Sequence, residues 1–240
     1  MSSIKQHRFY IRPGDIELKH DFWLHDKQLI RQWGSVLGLK SGDELVLFDG
    51  VESERLYKLA EITEREARLQ LITDFERTLP VREIYLFWSL LPTDKNDLVL
   101  QKCTELGVSH FIPLHAEHTE KTDFDVEHAE KIVTEAAEQC GRSDIPNVRQ
   151  PVLLQTVFDE FHGKMNLLVV ERTATPNSES ETQNAETTTA VGVLVGPPSG
   201  WSEHERQLFK DKNLSYLSIH DPTLRAETSC VAAVTKLTAH

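Results

Sequence analysis

Only three of the 240 residues are cysteines, Cys103, Cys140 and Cys230. They are odd in number, widely spaced and form no C-x-x-C, which excludes a disulfide framework and fits reduced thiols in a cytoplasmic protein. No run of eighteen apolar residues occurs, and the opening MSSIKQHRFY lacks the apolar core of a signal peptide, so neither membrane insertion nor export is expected. Positive charge is also scarce. Lys and Arg number 26 against 38 Asp and Glu, a net charge of −12. That balance argues against a protein that coats nucleic acid, because neutralising phosphates supplies most nonspecific affinity. The deficit is uneven: residues 1–75 hold 11 basic and 13 acidic side chains, and residues 76–240 hold 15 and 25. If RNA is a partner, the first third repels it least.

Several nucleotide and hydrolase signatures are missing too. Neither G-x-G-x-x-G nor G-x-x-x-x-G-K-[ST] is present, which excludes the usual dinucleotide fold and the P-loop. A serine-hydrolase elbow requires G-x-S-x-G, and Gly196-Pro197-Pro198-Ser199-Gly200 carries its serine one place late. His110, His115 and His118 follow Cys103 at spacings that match no strong ligand pattern, so no metal is expected.

What is present falls into two domains. Short alternating or apolar segments at 9–11, 22–24, 44–48, 56–62 and 67–72, with turn signals at Ser41-Gly42 and Asp49-Gly50, predict a small β-barrel over residues 1–75. Asp26 is placed to cap a helix running from Lys27 to about Leu37. From residue 76 the pattern changes to β-α-β units, which imply a mainly parallel sheet. Strands are predicted at 84–91, 108–114, 152–154 and 167–170. Thr93 is read as the cap of a helix whose apolar positions are Leu98, Cys103 and Leu106, ending at Gly107. The clearest helix spans 125–141, with Ala129, Ile132, Val133, Ala136, Ala137 and Cys140 on one stripe. Residues 173–190 have almost no apolar side chains and read as a mobile loop inside the second domain.

The stretch 191–229 is the most informative. A strand, Val191 to Val195, runs into the Gly/Pro loop 196–200, and Ser202 with Glu205 forms a capping box that opens a helix. A second strand, Leu214 to Ile219, leads into His220-Asp221-Pro222-Thr223-Leu224-Arg225-Ala226-Glu227-Thr228. Two strands thus end in irregular loops, the place where open α/β sheets bind ligands.

The order G-P-x-x-G, S-x-x-E, then L-R-x-E-T resembles the RsmE-type uridine methyltransferases of 16S rRNA, in the SPOUT superfamily. Residues 40–50, 97–114 and 135–146 are similar to them as well, so the likeness covers most of the chain. It implies an α/β fold with a parallel sheet flanked by helices on both faces, its C-terminal part threaded into a trefoil knot, preceded by a PUA-like RNA-binding barrel. It also implies a homodimer, and S-adenosylmethionine held by the loops after Glu171, Val195 and Ile219. The cofactor-binding residues by this match are Val170, Glu171, Leu194, Val195, Gly196, Pro198, Gly200, Ile219, His220, Thr223 and Leu224. Arg8, Arg12 and Arg31 are the exposed basic residues of the barrel expected at RNA.

The implied reaction is methylation of uridine N(3) in the decoding region of the small ribosomal subunit, with Arg225 and Glu227 as the catalytic pair. Arg225 would hold an RNA phosphate or the ionised uracil, or else pair with Glu227 or Asp221. Glu227 sits at a helix start, where the macrodipole stabilises its carboxylate and lowers its basicity, which favours an orienting role over that of general base. Pro198-Ser199 stands where the family has Glu-Gly, and His220 where it has glycine. Both changes restrict the backbone, and they support the alternative of a noncatalytic RNA- or cofactor-binding relative. Gly38 and His118 replace two family arginines.

Overall fold

The structure, a computed structural model, describes residues 6–119, 123–170, 190–219 and 224–238. It divides into two compact units, Met1–Leu79 with Ala137–Ile145, and Pro80–Ala136 with Pro146–His240. The expected loop lies outside the described residues except for Ala190, which opens a strand.

In the first unit, β1 (His7–Tyr10), β2 (Asp21–Leu24), β3 (Glu44–Phe48), β4 (Glu54–Ile62) and β5 (Ala67–Asp74) form one sheet in the order β1-β3-β4-β5-β2. β1 runs parallel to β3 and the other pairs are antiparallel. Leu45 and Leu47, Tyr57 and Leu59, and Ala67 and Leu69 step two residues apart onto the same core around the fully buried Trp33, the period of a strand with one face inside. Asp26 caps α1 (Lys27–Arg31), its Oδ1 accepting from Gln28 N at 2.8 Å and Leu29 N at 2.9 Å. The helix then widens over Gln32–Val36, where Leu37 N donates back to Gln32 O. Asp49 closes the β3–β4 turn by accepting from Val51, Glu52 and Ser53 amides at 2.8 to 2.9 Å, and Gly50 takes a φ of +76° that a side chain would strain.

Residues 137–145 belong to this unit, whereas the sequence pattern assigns them to the second domain. Glu54, only 5% exposed, explains their placement: its carboxylate takes the Arg8 guanidinium on one oxygen and the Ser143 hydroxyl on the other. Thr78 and Ser143 exchange two further bonds of 2.7 and 2.8 Å, and Tyr10 N donates to Glu138 Oε1 at 2.7 Å.

The second unit is built on a parallel sheet of β6 (Glu83–Ser89), β7 (His110–His115), β8 (Asn147–Val148), β9 (Val152–Leu153), β10 (Asn166–Val170), β11 (Ala190–Val195) and β12 (Ser215–Leu217). The order is β12-β10-β11-β6-β7-β8, with β9 also beside β7. The chain fills one side of β6 first and then the other, so the strand order reverses between β6 and β11. Its helices are α2 (Thr93–Glu105), α3 (Val126–Cys140, whose last turn lies in the first unit), α4 (Leu154–Phe161), α5 (Glu203–Asp211) and α6 (Ala226–Thr238). Phe87, Val169 and Leu194 pack with Val157 and Phe158 of α4 and Phe209 of α5. Trp88, pointing the other way, bonds Asn96 of α2, and α2 packs on α6.

Helix α2 differs from its sequence reading. Thr93 is its first residue but Pro92 stands at the cap position, with no side-chain cap bond. Asn96, buried, ties the preceding loop instead, accepting from Leu91 N at 3.1 Å and donating to Leu91 O at 2.7 Å. The buried face carries Val99, Leu100, Cys103 and Thr104, while Leu98 is exposed. Gly107 ends the helix at φ +95°. On α3, Ala129, Val133, Ala136 and Ala137 are buried but Cys140 is exposed in the final turn.

Candidate active site

A cleft opens where β10 and β11 end. Val170 and Val195, the last residues of these strands, form its apolar floor, and Gly196, Pro197, Gly200 and Trp201 form one wall. The first turn of α6 contributes Ala226 and Ser229 opposite. Counting the part open to solvent, the space is about 330 Å³.

Trp201 shapes the wall. Its ring is almost fully buried and meets Phe209 edge-on at 5.0 Å, and its Nε1 donates to Val170 O at 3.3 Å. A Cβ on Gly196 would fall 2.8 Å from the indole, so only glycine lets the ring lie on the chain there. Residues 197–200 form a β-turn closed by Gly200 N to Pro197 O at 2.8 Å. Pro198 occupies the second position of that turn, where a fixed φ is favourable, and Gly200 takes φ +85°. The turn therefore accommodates the proline.

Helix α5 starts with the complete capping box: Ser202 Oγ accepts from Glu205 N at 3.0 Å and Glu205 Oε2 accepts from Ser202 N at 2.8 Å. The segment after β7 is bonded to the same region. Glu117 N donates to Glu205 Oε1 at 2.9 Å, His204 Nδ1 lies 2.6 Å from Glu117 Oε1, and His118 Nδ1 donates to Gly200 O at 3.1 Å. Hydrogen bonds from His204 and then Ser202 hold the Glu117 carboxyl below its usual range.

Of the residues singled out in the sequence, Val170, Val195, Gly196 and Gly200 line the cleft together. Leu194 is wholly buried in the core beneath it, because successive side chains alternate across the sheet. Pro198, Ile219 and Leu224 are not among the lining residues. Glu171, His220 and Thr223 lie outside the described residues. Pro197, Trp201, Ala226 and Ser229 were not singled out. Trp201 carried a signal, a large aromatic immediately before a capping box in a loop of small residues.

Arg225 is exposed just ahead of α6, accepting from Ser229 N on its carbonyl at 2.8 Å, and has no ion pair among the described residues. Glu227 is turned toward α2, its side chain 13% exposed and its Oε1 3.9 Å from Lys95 Nζ. The two therefore do not pair with each other. Cys103 and Cys230 are buried thiols whose pKa burial pushes up, unsuited to nucleophilic work.

Arg8 is a correction. It is not an exposed base for RNA: its guanidinium is committed to Glu54, donates to Arg142 O at 3.3 Å and stacks 5.2 Å over Phe48. Arg12 and Arg31 are exposed. Among the described residues no cluster of three or more His, Cys, Asp or Glu is placed to hold a metal, and no helix is long and apolar enough to cross a membrane.

Comparison with known proteins adds to this geometry. The model of the RNA methyltransferase domain family matches residues 77–238. The ribosomal RNA small subunit methyltransferase E of Rickettsia conorii is 26% identical over 240 residues, covering 98% of this chain and 96% of its own. A putative methyltransferase from Legionella pneumophila, solved with its bound cofactor SAM, superposes with a TM-score of 0.83 at 25% identity over 98% of both chains. A ribosomal RNA small subunit methyltransferase E from Neisseria gonorrhoeae, at 23% identity over 97% of this chain and 96% of its own, shares the fold with a TM-score of 0.85.

Proposed function

The chain belongs to the RNA methyltransferase domain family, in its RsmE-type branch, and from that premise we propose that it methylates N(3) of a uridine in 16S rRNA, using S-adenosylmethionine. The observation that carries the reading is the cleft at the ends of β10 and β11, beside the reversal of strand order, with glycine enforced at Gly196 by the Trp201 ring.

The residues present suit such a cofactor. Val170 and Val195 offer apolar surface to an adenosyl group, and the turn 197–200 offers backbone polar atoms rather than charges. The cofactor supplies an activated methyl group on a sulfonium. The protein's task is then alignment and handling of the imino proton of the uracil. Arg225, exposed beside the mouth of the cleft, stabilises the developing uracil anion or an adjacent phosphate. Glu227, held by Lys95, orients the start of α6 and is not the base.

RNA approaches through the first unit, where Arg12 and Arg31 are exposed cations to test and Arg8 is a structural residue. That unit acts as the PUA-like domain, and the second unit, Pro80–Ala136 with Pro146–His240, as the catalytic SPOUT domain with a trefoil knot. The chain works as a homodimer in the cytoplasm on the assembled or assembling small subunit. With a net charge of −12 it recognises shape more than phosphate, so the salt slope of binding is shallow. Pro198 sits where a β-turn favours proline, so its fixed φ does not by itself favour the noncatalytic alternative, which rests on Ser199 and His220 as well. Incubation with methyl-labelled cofactor and undermethylated small subunits tests the reading: label should enter 16S rRNA in the subunit far faster than in the deproteinised RNA. Binding of both cofactor and subunits without transfer would establish the noncatalytic relative.

A further inference from the structure

We propose that Glu205 is a positioning residue for the cofactor cleft, which holds the Pro197–Gly200 turn in its binding conformation through bonds to two separate segments. The inference rests on the cofactor reading of the cleft and extends it to a residue outside the lining.

Glu205 is only 2% exposed. A charged group is kept at such a place only where its oxygens are used. Capping α5 occupies one of them, Oε2, with Ser202 N. The other, Oε1, reaches 88 residues back in sequence to the amide of Glu117. A helix cap does not require that second bond.

Its partner is a turn closed on itself, Ala116 N donating to Thr119 Oγ1 at 2.9 Å and Thr119 N to Ala116 O at 3.0 Å. The same turn is fastened on its solvent side by His204 to Glu117, and it returns to the cleft wall through His118 to Gly200 O. The wall is thus gripped at Gly200 and at Ser202, on either side of Trp201, by bonds that all pass through residues 117, 118 and 205. Releasing Glu205 lets the turn sample other conformations. Apparent affinity then falls by the fraction of time spent in the competent one. Glutamine keeps the volume but has a single acceptor oxygen, so its amide N–H₂ must face one of the two N–H donors.

Calorimetric titration with S-adenosylhomocysteine tests this. Glu205→Gln should weaken binding ~10- to 100-fold, the effect of leaving a buried donor unsatisfied. Ser202→Ala removes the cap bond to Glu205 N and the hydroxyl's bond to the Glu117 carboxyl but neither bond of the Glu205 carboxylate, and should weaken binding clearly less than Glu205→Gln while lowering thermal stability. In turnover the glutamine variant should show a raised KM for the methyl donor with kcat at saturation nearly intact. Equal affinities for wild type and Glu205→Gln, or equal losses in Glu205→Gln and Ser202→Ala, overturn the inference. If Glu205→Gln does not fold, the exposed variant His118→Ala decides, because it cuts the bond that carries the hold of the 117 turn to Gly200: weaker binding upholds the tether and undiminished affinity refutes it. Absence of binding by the wild-type chain would instead sink the cofactor reading itself.

Discussion

Replacing Gly196 with alanine puts the wall of the cleft to a quantitative test. The added Cβ would lie 2.8 Å from one ring carbon of Trp201 and 3.0 Å from two more ring atoms, whereas ordinary contact begins at 3.4 Å. The indole must therefore retreat by at least half an ångström. It has little room to do so, being 2% exposed and seated against Phe209. Overpacking of this kind costs ~1–3 kcal/mol. The retreat also lengthens the 3.3 Å bond from Nε1 to Val170 O, whose loss costs a further ~0.5–1.5 kcal/mol. Urea unfolding should show a destabilisation on the order of 2–4 kcal/mol with an unchanged slope. Because ring and backbone line the cleft, affinity for S-adenosylhomocysteine should fall at least tenfold in the fraction that remains folded. A Gly196→Ala protein with wild-type midpoint and wild-type affinity would refute the claim that Trp201 presses on this residue.

Arg225→Ala should abolish methyl transfer with cofactor affinity nearly unchanged, measured by single-turnover assay beside calorimetry, since its role lies with the RNA. Glu227→Gln should cost far less than the ~10²–10⁴-fold loss of a general base; activity regained only as pH rises toward ionisation of the uracil would instead make Glu227 the base. Asp49 has a carboxyl held below its ordinary value of 3.8: burial acts to raise it, but backbone amides of Ser53, Val51 and Glu52 together outweigh that. A depressed carboxyl contributes stability that is complete above the unfolded value and lost as pH falls through the folded one. Asp49→Ala should therefore lower stability by roughly 1 kcal/mol at neutral pH, and the gap from wild type should close below about pH 3.8 as followed by circular dichroism.

Local chemistry was readable from the sequence wherever donor and acceptor are near in the chain. The Asp26 cap, the Ser202–Glu205 box, the Asp49-Gly50 turn and the Gly107 helix end each need only a few consecutive residues. The strand ends that meet at the cleft followed from apolar runs stopping at glycine and proline. Residues whose partners are distant were not readable. Arg8 looks like a surface cation on a short strand until Glu54 is folded against it. Likewise the second oxygen of Glu205 finds its use only once the turn at Glu117 arrives from another strand. Membership of 137–145 in the first unit depends on Ser143 reaching Glu54, 89 residues away, and no helical period encodes that. Thr93 misled because a hydroxyl before an apolar period is a good cap signal, yet Pro92 and Asn96 organise that loop instead.

The most direct test of the central claim is to digest 16S rRNA from treated, undermethylated small subunits to nucleosides and oligonucleotides and locate the new methyl group by mass spectrometry. The account predicts a single N(3)-methyluridine in the decoding region, formed by wild type and absent with Arg225→Ala. A methyl group on a ribose, on another base or in the large subunit's RNA would contradict it.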